Sequence, residues 1–323
     1  MMRLLGVLWC VFIYLCPMSH AEKNYEVSVL LDAEVEKCWG AIVGREHAWM
    51  EHMRVELEAG GDFVVSSKLP YLSGRHRVVS FKENERLKLQ WYVEGWPSEV
   101  EVVLEPEKGK TRLTLQMAVD AEGAPESVEA LKYPDHYFYF IGQSWRHSLQ
   151  DLKSQLLGGT KGVRVLRANN DHLVRLEVEI KAPAKKVFEA LTQEALVKKW
   201  NAGLCMKEGK IEGKVGGVYS YGWYPLGTPE GEIEDGPMKV LELEKDKLLV
   251  IDWYGGTEKS RVSWEIEPMG DGRVKVKFKH ATLLGHSHGN VWSYRSGWAD
   301  SLYALKWYLE RDECMGDWLK EKQ

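Results

Sequence analysis

Two stretches of this chain carry nearly the same pattern of residues and decide its fold. Residues 87–106 have the sequence LKLQWYVEGWPSEVEVVLEP, and residues 249–268 have the sequence LVIDWYGGTEKSRVSWEIEP. At a separation of 162 positions they share a Trp-Tyr pair, a serine and a closing Glu-Pro, with alternating apolar residues between these landmarks. Alternation with a period of two predicts half-buried β-strands. The chain therefore contains one β-rich unit twice.

The repeat extends towards both ends of the unit. Residues 145–156 match residues 298–309 in their tryptophan, serine, lysine and leucines. In the second copy these apolar residues recur at spacings of three, four and seven, which predicts a helix over 297–311 with one apolar face that lies on the sheet. Near the start of each copy, β-branched apolar residues match in the same order, with Val27 and Val29 opposite Val178 and Ile180.

Each copy has the order strand, helix, several antiparallel strands and long C-terminal helix. This order predicts an α+β fold in two tandem domains. Gly158-Gly159-Thr160-Lys161-Gly162 separates the copies, and glycine-rich segments release the chain from regular structure. We predict a signal peptide over 1–21, a divergent first repeat over 22–157, a linker over 158–171, and a second repeat with a short C-terminal extension over 172–323.

The first residues predict export. Arg3 provides a positive start, Leu4–Leu15 is almost wholly apolar, and Ser19-His20-Ala21 places small residues at a plausible cleavage site after Ala21. The apolar run is about a dozen residues, well short of the ~20 that a membrane-spanning helix needs. We therefore expect a secreted or periplasmic protein whose mature chain has no transmembrane segment.

Composition and charge exclude several classes of protein. The chain has 323 residues, of which 44% are hydrophobic and 28% charged, and a formal net charge of −5 with the two signs interleaved. Because phosphate binding requires a basic face, we expect no nucleic-acid partner. After cleavage three cysteines remain, Cys38, Cys205 and Cys314, which do not form a disulfide framework. A single bridge between Cys205 and Cys314 stays open as an alternative.

Five short motifs carry a resemblance to a known family. They are Ala182-Pro183 at the start of the first helix, Lys199-Trp200 at its end, Val215-Gly216-Gly217 before a strand, Val262-Ser263-Trp264-Glu265-Ile266-Glu267-Pro268 within a strand, and Gly297-Trp298 at the start of the last helix. With these motifs, residues 173–310 resemble the START-like superfamily, also called SRPBCC or Bet v 1-like. More narrowly, they are similar to the branch of this superfamily that is related to the C-terminal domain of the activator of the heat-shock-protein-90 ATPase.

The first half departs from this pattern. It lacks the Ala-Pro start, and Ala59-Gly60-Gly61 is its nearest equivalent of the glycine pair. It is identified as a member through its likeness to the second half. The resemblance implies a helix-grip fold in each copy, a curved antiparallel sheet wrapped around a long C-terminal helix. It also implies a cavity between sheet and helix, which in many relatives takes an apolar ligand.

His280 is the candidate catalytic residue. Alternation places it on the same strand face as Val274, Val276 and Phe278, and in the repeat it falls opposite Val119. An imidazole on an apolar face serves as a general base, as a hydrogen-bond partner of a ligand, or as a metal ligand. The alternative is a histidine near a strand end that bonds to a neighbour or to water.

Aromatic residues are the second candidate feature, because the chain contains 14 Trp and 14 Tyr. Large flat side chains that carry one polar atom suit a pocket for a ring-bearing or lipid-like ligand, and they also fill the core of a curved sheet. Both interpretations remain open. The candidate ligand-binding residues are Tyr221, Trp223, Trp253, Trp264, His280, Trp298, Trp91 and Trp145.

Other motifs for chemistry are weak. His286-Ser287-His288 and Asp135-His136 supply too few ligands for a metal site, so we interpret both as solvated loop residues and expect no metal. The pair Gly216-Gly217 is followed by no lysine and indicates a bend of the sheet rather than a phosphate loop. The sequence contains no G-x-S-x-G motif, and we expect no cofactor.

The sequence favours a non-enzymatic binding protein for an apolar or aromatic small molecule or lipid. One alternative is a cyclase-like or hydrolase-like enzyme that uses His280 as acid or base. Another is a protein-interaction module that resembles the chaperone activators in role. The signal peptide argues against the last, because heat-shock-protein-90 chaperones depend on ATP, which bacterial exported spaces lack.

Overall fold

The fold is described from a computed structural model. It describes residues 24–43, 57–65, 74–93, 95–119, 125, 127, 134–158, 162–166, 173–201, 206–223, 238–254, 259–281, 288–314 and 319–322. The first half contains six strands and two helices: β1 (Asn24–Leu31), α1 (Val35–Val43), β2 (Asp62–Val65), β3 (Gly74–Lys82), β4 (Arg86–Val93), β5 (Trp96–Glu107), β6 (Lys110–Val119) and α2 (Pro134–Leu156).

The second half repeats this order with additional elements, and its last strand follows the long helix. Its elements are β7 (Arg164–Val165), β8 (Val174–Ile180), α3 (Ala184–Thr192), α4 (Glu194–Asn201), β9 (Met206–Ile211), β10 (Tyr219–Trp223), β11 (Val240–Glu244), β12 (Leu248–Tyr254), β13 (Lys259–Pro268), β14 (Val274–Ala281), α5 (His288–Arg311) and β15 (Leu319–Lys322).

Two antiparallel sheets organise these elements. The first has the strand order β15-β1-β6-β5-β4-β3-β2, and the second has the order β11-β12-β13-β14-β8-β7. Strands β9 and β10 form a separate two-stranded sheet. The described residues form two compact units that meet in the sequence between Gly162 and Val163, and residues 319–322 belong to the first unit. The α+β prediction of tandem sheet-and-helix domains is confirmed.

The core of the second unit lies between its sheet and α5. Alternate strand residues face inwards because side chains on a strand alternate between its two faces. Val276 and Phe278 on β14 are thus buried, while the lysines between them are not. Trp298 on α5 contacts Trp253 of β12, Trp264 of β13 and Phe278 of β14. The apolar face of α5 therefore packs across the inner surface of the sheet, as its spacing predicts.

A glycine bend occurs at the same place in both halves. Gly60 and Gly61 bond to both backbone groups of Val78 on β3, and Gly216 and Gly217 bond in the same way to Val240 on β11. The first glycine of each pair has a positive φ, 84° for Gly60 and 76° for Gly216, which other residues rarely adopt. The first half therefore keeps the bend although it lacks the second half's flanking residues.

The strand register corrects one match of the sequence repeat. Val262 on β13 pairs with His280, and the equivalent Val100 on β5 pairs with Met117. His280 therefore corresponds to Met117 and not to Val119. The two positions share one face of β6 because they lie two residues apart.

The turn before this strand accounts for one of the two residues by which the match was wrong. Four residues separate the paired Pro106 and Thr111, whereas five separate the paired Pro268 and Val274. The added residue shifts the alignment of the last strand by one position relative to the strand before it. Periodicity cannot detect such a change, because turn length is independent of the alternation within strands.

The first strands show a related shift. Val276 on β14 pairs with Val178, and the equivalent Leu113 on β6 pairs with Val29. Val178 therefore corresponds to Val29, and the sequence match to Val27 was wrong by two residues. A two-residue slip keeps every side chain on its own face, so the pattern of buried residues does not reveal it.

Several elements differ from the sequence prediction. Helix α5 begins at His288, nine residues before the predicted Gly297. Strands β7, β9 and β15 were not predicted; β7 and β15 are only two and four residues long. None of the described helices combines the length and apolar character that crossing a bilayer requires.

Candidate functional site

His280 lies at the centre of a buried chain of hydrogen bonds. Its side chain is 0% exposed on the inner face of β14. The indole Nε1–H of Trp298 donates to Nδ1 of His280 over 3.1 Å, and Nε2 of His280 lies 2.7 Å from Oγ of Ser260. Ser260 in turn donates its hydroxyl proton to the backbone carbonyl of Trp253 over 3.0 Å. We call these four residues the Trp-His-Ser relay.

The relay fixes the protonation state of the imidazole. Because Ser260 uses its single proton on the carbonyl of Trp253, its oxygen accepts the remaining bond, and Nε2 of His280 carries the proton. Nδ1 is then the acceptor for Trp298, so the ring is neutral. If Nδ1 were protonated, its N–H would face the indole N–H of Trp298, and two donors do not bond to each other. If Nδ1 acted as a base, its bond to Trp298 would have to break. The geometry thus suits a fixed polar contact better than proton transfer.

Aromatic rings surround the relay. The ring centroid of Trp298 lies 4.7 Å from those of Trp253 and Phe278, and 5.7 Å from that of Trp264. Such separations are typical of directly packed rings. Tyr294, one turn before Trp298 on α5, meets His280 edge-on at 4.9 Å and remains partly exposed. The predicted residues Trp253, Trp264, His280 and Trp298 thus form one closed cluster whose outermost member is Tyr294.

The first half contains a related cluster. Trp91 and Trp145, both predicted, meet edge-on at 5.4 Å. Ser98 donates to the carbonyl of Trp91 over 2.9 Å, which repeats the bond from Ser260 to Trp253. His76 on β3 stacks on Trp91, with the ring centroids 3.8 Å apart and an interplanar angle of 15°.

Sequence reasoning missed His76. Its side chain is 0% exposed, and its Nδ1 accepts the backbone N–H of Tyr92 over 3.0 Å. The signal was present, because His76 and Val78 lie two residues apart on β3 and share its inward face. Only the register of β3 on β4 brings this position beside Trp91.

Histidine and methionine exchange places between the halves. Val78 and Val240 occupy equivalent positions at the glycine bend, so the residues two positions earlier, His76 and Met238, are also equivalent. The register of the last strands makes Met117 equivalent to His280. Each core therefore holds one buried imidazole and one buried thioether at the same pair of positions, in opposite arrangement.

The two remaining predicted residues belong to a different sheet. Tyr221 and Trp223 lie on β10, where they pair with Gly209 and Met206 of β9. Their side chains lie outside the described part of the chain. The structure thus brings six of the eight predicted binding residues into two clusters, four in the second half and two in the first.

An open groove of about 840 Å³ lies in the first half. It runs across β3, β4, β5 and β6 at the level of Arg77, Gln90, Glu99 and Ala118. Ser98 contributes to its wall, but the tryptophans of the first cluster do not. The groove is therefore distinct from the sheet-and-helix cavity that the resemblance implies.

Two buried lysines fix the long helices to the sheets. Lys306 on α5 is 1% exposed and donates to the carbonyl of Glu179 on β8 over 3.0 Å and to the carboxylate of Glu310 over 2.9 Å. Lys153 on α2 lies 3.8 Å from a carboxylate oxygen of Asp32, next to β1. Both cations are paired, as buried charges usually are. In each half the lysine joins the long helix to the end of that half's first main strand, β1 or β8.

The cysteines of the described residues are free thiols. Burial raises the pKa of the Cys38 thiol, which donates to the carbonyl of Ala33. A raised pKa keeps the thiol protonated and unreactive. Cys314 contacts the carbonyl of Lys199, while Cys205 lies outside the described residues, as does the bridge considered between them.

The described residues contain no group of three His, Cys, Asp or Glu side chains that could hold a metal ion. His286 lies outside the described part of the chain, and His288 is the first residue of α5. Asp135 and His136 lie in the first turn of α2 rather than in a loop, which corrects their assignment.

A family model matches both halves of the chain. The model, described as Activator of Hsp90 ATPase homolog 1-like protein, matches residues 32–156 and again residues 181–310. The chain belongs to this family. Its two tandem copies are both AHSA1-like domains, including the divergent first one. No curated protein matches the sequence.

Solved structures with similarity to these AHSA1-like domains are distant. DynU16, a putative protein in the dynemicin biosynthetic locus, is 18% identical, with 90% of this chain and 99% of that chain covered and a TM-score of 0.31. CalU16 from Micromonospora echinospora is 22% identical over 47% of this chain and 83% of its own, with a TM-score of 0.35. Aha1 from Colwellia psychrerythraea, solved as a dimer, is 20% identical over 44% and 98%, with a TM-score of 0.35. The family assignment rests on the sequence match, because TM-scores this low do not establish structural equivalence.

Proposed function

We propose that this protein is an exported, non-enzymatic binding protein for an apolar or aromatic small molecule or lipid, with the Trp-His-Ser relay of the second half as the polar contact in its site. The ligand takes a position beside Tyr294 and Trp298, at one end of the sheet. The signal-peptide pattern of residues 1–21 supports export.

The observation that carries this proposal is a polar relay buried among aromatic rings. A ligand site of this class is mostly apolar and contains a few fixed polar groups that orient the ligand. The hydrogen bonds among His280, Ser260 and Trp298 fix the relay in place, and Oγ of Ser260 keeps one of its two acceptor positions for a ligand donor. The equivalent of His280 in the first half is Met117, so the strand accepts a residue without a polar ring at this position.

The position of the relay within the domain supports access. Trp253 is the last residue but one of β12, Ser260 is the second residue of β13, and His280 is the last residue but one of β14. All three therefore lie at one end of the sheet. Tyr294 meets His280 from the helix and is partly exposed, so we place the approach of the ligand to the relay beside this ring.

The enzymatic alternative has less support from this geometry. General base catalysis requires a free lone pair within reach of the substrate. Nδ1 of His280 accepts the Trp298 N–H, and Nε2 carries the proton bonded to Ser260. Turnover would require both bonds to break.

Binding of an apolar probe to the purified chain tests the proposal. Organic extracts of the protein are analysed by mass spectrometry, and 1-anilinonaphthalene-8-sulfonate is titrated with tryptophan emission as the signal. We expect a stoichiometric apolar molecule in the extract and saturable binding of the probe. Tyr294→Ala is expected to weaken probe binding about tenfold, which corresponds to about 1.4 kcal/mol.

Tyr308→Ala is the matched control, because Tyr308 lies on the same helix, is also partly exposed, and packs against the core 14 residues further on. Its affinity for the probe is expected to stay within a factor of about two, a change below 0.5 kcal/mol. An empty extract together with no saturable binding, or equal losses in both variants, would refute the proposed site.

A further inference from the structure

The outer edge of β1 is covered by the end of the chain. Strand β15 pairs with β1 in antiparallel fashion, with Leu319 opposite Val29 and Lys322 opposite Glu26. On its other edge β1 pairs with β6 along its whole length. Without β15, the outer backbone groups of β1 would be unpaired, which makes an edge strand a template for other extended chains.

The second half covers the equivalent edge in a different way. Its first strand β8 corresponds to β1, and the short strand β7 pairs with it, Arg164 lying opposite Glu177. The side chains of these two residues also form an ion pair. Because β7 lies only a few residues before β8 in the sequence, this cover is local. The cover of β1 comes instead from the opposite end of the chain.

The two covers share a chemical feature. Val178 corresponds to Val29, so Glu177 corresponds to Ser28, which stands opposite Lys320 of β15. A basic residue thus stands at the equivalent position of each covering strand, Arg164 on β7 and Lys320 on β15. On the first sheet the register also places Lys322 opposite Glu26, and residues of opposite charge at directly opposed positions favour a strand pair.

We propose that the outer edge of β1 binds an extended peptide as an added strand. The peptide has an apolar residue, a lysine at the next position and a second lysine two positions after the first. This is the pattern of Leu319, Lys320 and Lys322. The chain's own tail occupies the site, and a partner segment with the same pattern replaces it. The backbone bonds supply affinity, and the opposed Glu26 supplies selectivity.

The length of the cover makes exchange feasible. β15 has four residues, and so short a strand adds few backbone bonds beyond those that the sheet already has. Seven residues, 312–318, lie between the end of α5 and the start of β15. Because the tail is covalently joined to the chain, it competes at a high local concentration, so a free peptide replaces it only at high concentration or when the tail is weakened.

Hydrogen exchange of the full chain tests occupation of the edge. We expect Lys322→Glu and Glu26→Lys each to speed exchange of the outward amides of β1, by about twofold to fivefold for one cross-strand charge pair. The double variant restores opposite charges and is expected to return to the wild-type rate. The inward amides of β1, which bond to β6, serve as the internal control.

A peptide experiment tests exchange with a partner. A chain that ends at Met315 is titrated with a fluorescent peptide of residues 316–323, GDWLKEKQ, and unchanged exchange in β4 and β5 verifies that its fold is intact. We expect saturable binding and renewed protection of β1. The peptide with Lys322→Glu is expected to bind about twofold to fivefold less well to this chain, and better than the unchanged peptide to its Glu26→Lys variant.

Two outcomes would overturn the proposal. One is equal protection of β1 with and without residues 316–323, which means that the tail covers nothing. The other is peptide binding that ignores both charge reversals. The binding of an apolar ligand at the relay is independent of this edge, so neither outcome bears on the proposed function.

Discussion

The two halves of this protein have equivalent cores, except that a histidine and a methionine exchange positions between them. Each has a tryptophan on the strand that follows the glycine-bend strand, β4 or β12, a tryptophan on the long helix, and a serine that donates to the first tryptophan's carbonyl. The first half adds a histidine from β3 and the second adds one from β14. The position that lacks histidine holds methionine in each case, Met117 or Met238.

The exchange shows that an imidazole makes different contacts at each of these two positions of the fold. His76 stacks flat on Trp91 and accepts a backbone N–H through Nδ1. His280 instead stands edge-on to Trp298 and connects it to Ser260. An imidazole at the first position thus extends an aromatic stack, whereas at the second it links polar side chains. The second arrangement joins the sheet to the helix through hydrogen bonds.

The largest expected effect comes from removing the second arrangement. His280→Met is expected to lower the free energy of unfolding of the second half by about 1–3 kcal/mol, because it leaves the buried indole N–H of Trp298 without its acceptor. Met238→His alone is expected to destabilise this half as well. The slowest-exchanging amides of β12 to β14 report the change.

The double variant Met238→His/His280→Met gives the second half the arrangement of the first. We expect it to recover about 0.5–2 kcal/mol relative to the sum of the single variants, as coupled neighbouring residues do. The first-half pair His76→Met/Met117→His is the matched control. If the free-energy changes of the single variants are strictly additive in both halves, the two positions are independent, and no coupling between them explains the exchange of histidine and methionine.

A smaller difference is expected between the two serines. Ser98→Ala removes one bond to a carbonyl and is expected to cost the first half about 1 kcal/mol. Ser260→Ala removes the same bond and also the acceptor of His280, so the second half is expected to lose about 2 kcal/mol. Hydrogen exchange in each half measures both values. Equal losses would contradict the relay, and threonine at each position, which keeps the hydroxyl, is the control.

The smallest expected effect concerns acid stability of the second half. The backbone N–H of Val218, followed by Lys210, lowers the pKa of Glu212, and Lys198, followed by the N–H of Ile211, lowers the pKa of Glu194. A carboxyl whose pKa is lower in the folded state contributes stability above its unfolded pKa and loses that contribution as the pH falls through the folded pKa.

Exchange of the β9 and β10 amides is therefore expected to accelerate as the pH falls below the ordinary glutamate value of 4.5, after correction for intrinsic exchange. The effect is small because both carboxylates are partly exposed and solvent screens their interactions. Glu194→Gln/Glu212→Gln is expected to flatten the profile, and amides of the β5–β6 hairpin provide the first-half reference. A steeper profile in the double variant would contradict the assignment.

Much of the fold was accessible from the sequence. The alternation around Trp253 and the helical spacing after Trp298 depend on which face each residue turns to the core, and the structure has both as predicted. The repeat itself identified the divergent first half. The slips of Val178 and His280 arose because alternation fixes the face of a strand but not its register.

The site was less accessible. Trp253, Trp264, His280 and Trp298 all face inwards, but their closed packing follows from distances that no spacing encodes. His76 was missed because its partner Trp91 lies 15 residues away on the next strand. Whether these residues bind a ligand stays a prediction.

The sequence by itself determined the duplicated unit, the inward face of each long strand and the apolar face of the last helix, because these depend on local periodicity. The tertiary structure alone decided which strands meet, that His280 equates with Met117, and that the chain's end covers β1. Strand pairing joins residues far apart in the chain through backbone groups that every residue carries, so side-chain patterns contain little information about it.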